Sequence, residues 1–134
     1  ENIRASIENI TTNTTKNDIL RSALESIAFS TKSILQTIKK NTNYKNQTIK
    51  IDGGMSKSTF FSSFLADLLG VKVKVAKNPE MTSMGVAKLS LESHLEKLDL
   101  KNLYIEYKPS GKNFKKFNDK FLKWEKIIET KIKD

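Results

Sequence analysis

The stretch Thr48-Ile49-Lys50-Ile51-Asp52-Gly53-Gly54-Met55-Ser56-Lys57-Ser58 decides the reading of this chain. Four residues of β-favouring character end in Asp-Gly-Gly, and a run rich in Phe and Leu follows at once. Phe60, Phe61, Phe64, Leu65, Leu68 and Leu69 repeat at i, i+1, i+4 and i+5, the spacing of a buried helix face. Gly70 then stands where a left-handed glycine closes a helix. Val71, Val73 and Val75 alternate with Lys72 and Lys74, so a second strand follows. The unit strand–glycine turn–helix–strand places Gly53 and Gly54 at a strand's carboxyl end. Ligands of open α/β sheets bind at that edge. Glycines let a ligand lie against bare backbone, and a helix N-terminus offers unpaired N–H groups.

Working outward, Ile3, Ala5, Ile7 and Ile10 predict a short strand over residues 3–11, and Thr11 to Asn17 a turn capped by Asn17 or Asp18. Ile19, Leu20, Ala23, Leu24, Ile27, Ala28, Thr31, Ile34, Leu35 and Ile38 predict one long amphipathic helix to about Lys40, ended by the Asn41–Asn46 cluster. Asn78-Pro79 stops the second valine strand. Thr82-Ser83 offer caps for a third helix running to about Lys97. Residues 103–111 read as irregular, and a last helix carries Phe114, Phe117, Phe121, Trp124 (or Leu122), Ile128 and Ile132 on one side. The order β-α-β-α-β-α over residues 1–100, with an extension and helix over 101–134, predicts an α/β fold whose later strands are parallel. The pieces read as one unit.

Composition narrows the function. The chain has 134 residues, of which 37% are apolar and 29% charged, an ordinary folded mix. With no cysteine, disulfide scaffolds, thiol nucleophiles and cysteine zinc sites are excluded. No apolar run approaches the ~20 residues of a membrane span, and no signal-peptide pattern opens the chain. It begins Glu1-Asn2-Ile3 without an initiator Met, which suggests a piece of something longer.

The net charge of +9 raises nucleic acid or anionic lipid as partners. Of the 24 basic residues, however, only Arg4 and Arg21 are arginine, the residue whose fork recognises phosphates and base edges. Abundant Lys, Asn and Ile fit the coding bias of an AT-rich genome, and a solvated lysine surface is the expected outcome. Lys57-Ser58 is not a phosphate-binding P-loop, because the two glycine positions of that motif hold Ile51 and Ser56. His94 falls among Leu91, Leu95 and Leu98 and reads as helix padding. Asp52 and Asp67 have no partner that would make an acid–base pair, and Asp67 is expected to be solvated or ion-paired. Gly85 and Ala87 put small residues on the first turns of the third helix. They suit either packing within the domain or contact with a second domain across a cleft.

Together these residues resemble the C-terminal domain of the FGGY carbohydrate kinases, and within that family most closely the glycerol kinases. Asp18-Ile19-Leu20-Arg21-Ser22-Ala23-Leu24-Glu25-Ser26-Ile27-Ala28-Phe29 is similar to a helix of the family. Upstream, Ala5, Ile7, Ile10 and Asp18-Ile19 keep the spacing of a family signature, with Asn9 where the family has glycine. Ile51-Asp52-Gly53-Gly54, Asp67-Leu68-Leu69-Gly70 and Glu80 through Ala87 resemble three further motifs, and Tyr107-Lys108-Pro109 a fourth.

The resemblance implies a partial ribonuclease-H-like, actin-superfamily ATPase domain, two of which close over ATP and the sugar. It implies Gly53 and Gly54 as the adenosine motif, and Ser58 where glycerol kinases commonly place an Asn near the adenine. Gly85 and Ala87 would lie on an interdomain helix. The catalytic Asp, the polyol contacts, both phosphate-binding turns and the metal ligands of the family lie upstream, so no catalytic or metal-binding residue is expected here. The implied reaction is ATP plus glycerol giving glycerol 3-phosphate and ADP, with Mg²⁺. The isolated chain is expected to be inactive, with ATP or ADP, glycerol, an N-terminal kinase domain and further copies of itself as partners, in the cytoplasm. An FGGY kinase for another sugar such as a pentulose, and a non-enzymatic basic module, are the alternatives.

Overall fold

A computed structural model of the chain describes residues 5–42, 47–78, 81–90 and 103–133. Its contacts divide the chain into two compact units, Glu1–Tyr44 with Lys112–Asp134, and Lys45–Gly111.

The first unit is built on two helices, α1 over Lys16–Asn41 and α4 over Phe114–Lys133. Thr15, rather than Asn17 or Asp18, caps α1. The Thr15 hydroxyl accepts from the Asp18 N–H at 3.2 Å, and the Asp18 carboxylate accepts from the Thr15 N–H at 3.0 Å. This reciprocal box satisfies two of the donors a helix start leaves unpaired. The helix closes where Asn41 Nδ2 donates to the Thr37 carbonyl and Thr42 Oγ1 to that of Ile38, 2.9 and 2.8 Å away.

Hydrogen bonds from Thr15, its side chain foremost, hold the Asp18 carboxyl below its ordinary pKa. The box is therefore expected to contribute fully above the ordinary aspartate pKa and to be lost as pH falls through the lowered folded value. Amide exchange in the first turn of α1, followed from pH 7 into acid, checks this. T15A should return the Asp18 pKa toward its ordinary value.

Between the helices the buried seam of α1 is Glu25, Ala28, Phe29 and Lys32, one stripe at i, i+3, i+4 and i+7. The apolar stripe that periodicity favours only grazes this seam at Ala28, and Ile34 on it is 61% exposed. The reason lies on α4, whose Phe117 and Phe121 are buried. Phe29 stands 6.0 Å from the Phe121 ring and 5.8 Å from Trp124. Two charges share this seam. Glu25 accepts from Lys120 at 2.8 Å and from Arg21 at 2.8 Å. Lys32 donates to Asn118 Oδ1 at 2.7 Å with its ammonium 4.7 Å from the Phe121 ring centre, and burial lowers its pKa.

The strand expected over residues 3–11 is corrected. Residues 5–10 are irregular and exposed, because a strand needs a neighbour to pair with and no described strand flanks them. Glu8 is instead ion-paired with Lys131 of α4 at 2.7 Å. Asn9 has φ 60, a left-handed conformation that asparagine adopts more readily than other residues with a side chain. That conformation accounts for Asn9 where glycine stands in the resemblance.

The second unit holds a three-stranded sheet in the order β1-β2-β3: Thr48–Ile51, Lys72–Ala76 and Tyr104–Tyr107. β1 and β2 are parallel, with Ile49 opposite Val73 and Ile51 opposite Val75. They are joined by a crossover through α2, Thr59–Leu69. Val73 and Val75 are buried, as are Phe61, Phe64, Leu65 and Leu68 of α2, which packs on β2. Gly70 closes α2 at φ 66, the left-handed conformation its position foretold.

The piece read as irregular contains β3, antiparallel to β2 with Val75 opposite Ile105, so the sheet is mixed. Its four residues are too short to show alternation, and Pro109 follows almost directly. On the other face of the sheet Glu106 is shared by Lys72, Lys74 and Lys108 at 3.8 to 4.0 Å. The third helix, α3, covers Met81–Ser90, so Thr82 and Ser83 lie inside it and not at its cap. Its expected continuation to Lys97 lies outside the described residues.

Candidate functional site

The site is assembled where β1 ends. Asp52 is exposed, Gly53 follows at φ 86 and ψ −178, and Gly54 opens a 3₁₀ turn, Gly54–Lys57, before α2 begins. The helix therefore does not follow the glycines directly, as the sequence suggests. A positive φ with extended ψ is open to glycine and costly for any residue with a Cβ, so Gly53 is required by the backbone itself. Gly54 has no such demand on it. It is exposed, and a Cβ built there would meet nothing within 4 Å. Its backbone is thus bare and accessible.

Two serines hold this turn from inside. Ser56 is buried, and its hydroxyl donates to the Gly53 carbonyl at 2.7 Å, where the Ser56 N–H also donates at 3.2 Å. The Ser62 hydroxyl, fully buried, donates to the Ser56 carbonyl at 3.2 Å. Ser58, half-buried, caps α2: its hydroxyl accepts from the Phe61 N–H at 3.2 Å. The structure thus brings Gly53, Gly54 and Ser58 into one turn and gives the Ser58 oxygen a structural partner. Sequence reasoning passed over Ser56 and Ser62. The signal available was a small polar residue at position 62 within an otherwise apolar helix face.

Asp67 accepts from both the N–H and the hydroxyl of Ser110, the latter at 3.0 Å. It thereby ties α2 to the segment after β3 rather than standing solvated or ion-paired as expected. Gly85 and Ala87 both fall within α3; Gly85 is exposed, and a Cβ there would meet no atom within 4 Å. His94 lies outside the described residues. Among the described residues no three His, Cys, Asp or Glu side chains converge to hold a metal ion, and no helix is long and apolar enough to cross a membrane.

A parallel strand pair with its crossover helix and a glycine turn at the strand end define a class here. Residues 1–91 match the C-terminal domain of the FGGY family of carbohydrate kinases, and the chain belongs to that family. It is similar to the glycerol kinase of Pediococcus pentosaceus, with 35% identity over 85% of this chain and 22% of that one. It is likewise similar to the glycerol kinase of Streptococcus pneumoniae (strain Hungary19A-6), with 37% identity over 67% of this chain and 18% of that one. The chain therefore spans about a fifth of the length of these relatives.

Among solved structures it superposes on Plasmodium falciparum glycerol kinase with ADP, at TM-score 0.73 and 29% identity, over 97% of this chain and 27% of that one. The xylulose kinase of Rhodospirillum rubrum superposes at TM-score 0.75 and 16% identity over 90% of this chain and 26% of that one, a likeness of fold. The expected actin-like ATPase fold of mixed α/β type is what these structures share with the chain.

Proposed function

We propose that residues 1–134 are the C-terminal portion of the FGGY C-terminal domain of a glycerol kinase-like enzyme, and that they supply the adenosine side of its nucleotide site. The observation that carries this reading is the Gly53–Gly54 turn: open backbone at the carboxyl end of β1, in a chain similar to a glycerol kinase solved with ADP. The parent reaction is transfer of the ATP γ-phosphoryl group to glycerol, giving glycerol 3-phosphate and ADP. Such transfer depends on positioning and on stabilising charge around the phosphates. The described residues fit the nucleoside part of that task. Gly54 lets a flat base or ribose approach the main chain, and Ser58 closes one side of the turn while it caps α2.

The Mg²⁺ ion that accompanies the phosphates is assigned, as the resemblance implies, to ligands outside these residues. Phosphate chemistry and glycerol binding are assigned to the part of the relatives that lies beyond this match, and Gly85 and Ala87 of α3 to the side facing that partner domain.

Two measurements on the purified chain test the proposal. With ATP, Mg²⁺ and glycerol it should form no glycerol 3-phosphate. On titration with ADP the amides of Gly53, Gly54 and Ser58 should shift and saturate, with a dissociation constant on the order of 1 mM or weaker, since one wall of a cleft gives up most of the contacts. Phosphorylation of glycerol by the chain alone would overturn the assignment of roles.

A further inference from the structure

We propose that Ser56 and Ser62 are positioning residues for the nucleotide: a two-step chain of buried hydroxyls that locks the Gly53 carbonyl inward and keeps the Gly54 main chain facing outward. The inference rests on the adenosine reading above and names the part of the fold that shapes that site.

The geometry is a relay from the helix to the turn. Ser62 sits on α2 with no exposed surface, and its hydroxyl donates 3.2 Å to the Ser56 carbonyl. Ser56, 5% exposed, donates 2.7 Å to the Gly53 carbonyl through its own hydroxyl. The Gly53 carbonyl thus receives two donors from one residue, the Ser56 hydroxyl and its N–H. Both serines are buried polar groups, in a unit where Phe61, Phe64 and Leu65 of α2 are buried too, and an unbonded hydroxyl there would be costly. Each hydroxyl has its acceptor, and no buried side-chain polar atom among the described residues lacks one.

The restraint acts on the residue with the greatest freedom. Gly53 at φ 86 and ψ −178 samples many conformations in a free loop, and a glycine loses more entropy on being fixed than any other residue. A ligand that required this one conformation would have to order the turn itself, and its apparent affinity would fall by the fraction of time the turn is formed. With the carbonyl held inward by two donors, the peptide plane is set before the ligand arrives. The cost of ordering is borne at folding, through packing of α2 on β2, and the bare face of Gly54 is presented ready-made.

Removing the hydroxyl at either serine leaves the remaining turn bonds, Ser56 N–H to Gly53 and Ser58 N–H to Met55 at 3.0 Å, in place. The turn is loosened, not deleted. S56A and S62A are therefore compared with the unsubstituted chain by ADP titration, read at the Gly53 and Gly54 amides. S26A, which removes a hydroxyl bonded to the Ala23 carbonyl on α1, serves as the control. One hydrogen bond of ordinary strength corresponds to about a three- to tenfold change in an equilibrium constant.

We expect S56A to weaken ADP by about that factor, S62A by a smaller factor through the same route, and S26A not at all. Faster backbone motion or exchange at Gly53 and Gly54 in ADP-free S56A is also expected. S56T, which restores a hydroxyl, should recover part of the affinity. Dispersed amide spectra establish that each variant is folded, and S62A carries the test should S56A not fold. Unchanged ADP affinity and unchanged mobility at Gly53 and Gly54 in a folded variant would overturn the inference while leaving the adenosine reading intact. No ADP response from the unsubstituted chain would instead overturn the adenosine reading, and this role with it.

Discussion

Replacing Phe121 with Ala is expected to cost about 3–5 kcal/mol and to unfold the α1–α4 unit under mild denaturant. Phe121 has no exposed surface, and its ring is the common neighbour of Phe29 at 6.0 Å and Trp124 at 6.1 Å. Truncation removes the transfer energy of the ring and leaves a void that two long helices cannot close. A second loss adds to the first. The Lys32 ammonium lies 4.7 Å from the Phe121 ring centre, and truncation takes that face away from a partly desolvated cation whose Asn118 acceptor and more distant Phe114 face, at 5.6 Å, remain. F121L, which retains much of the volume, should cost less than half as much. Urea unfolding followed by Trp124 fluorescence reads both variants, because the indole reports directly on this cluster.

G54V is expected to leave the fold intact and to weaken ADP by about tenfold or more. The two halves of that expectation have separate causes. Gly54 does not occupy the left-handed region, so a side chain there strains nothing, and the space its Cβ would enter is free of protein atoms. In a helical turn valine is, if anything, better tolerated than glycine. The proposed site uses that same empty space for the ligand, and a branched side chain keeps the base or ribose off the main chain. An ADP titration with a melting curve separates the two halves. A G54V chain that binds ADP as before would remove Gly54 from the site. G53V is the contrasting case: its φ of 86 makes that change a folding defect, uninformative about the ligand.

Much of this protein is written locally in its sequence. The strand Thr48–Ile51, the two glycines, the helix Thr59–Leu69 and its closing Gly70 follow from dihedral preference, capping and periodicity, each set within a few residues. The same local strings carry the family membership, because motifs are local. The positions of Gly53, Gly54 and Ser58 in one turn were legible for that reason, while the inward serines were not. Ser56 and Ser62 lie six residues apart, and their hydroxyls become functional only when the 3₁₀ turn folds back over the start of α2.

Pairing and burial belonged to the tertiary structure. Alternation at Ile3, Ala5 and Ile7 is real, yet residues 5–10 form no strand, since a strand's hydrogen bonds come from another segment. Four residues at Tyr104–Tyr107 have no pattern of their own and become β3 because β2 offers them an edge. Along α1 the apolar residues are numerous enough to mark a broad face, but which stripe is buried was settled by the aromatic side chains of α4. Glu25 and Lys32 are buried there despite their charge, because Lys120 and Asn118 lie opposite to receive them. Sequence alone determined the local elements and the glycine turn, which depend on near neighbours. Only the tertiary structure decided the pairing of β3 and the buried seam of α1, which depend on groups brought together from 28 to 95 residues away.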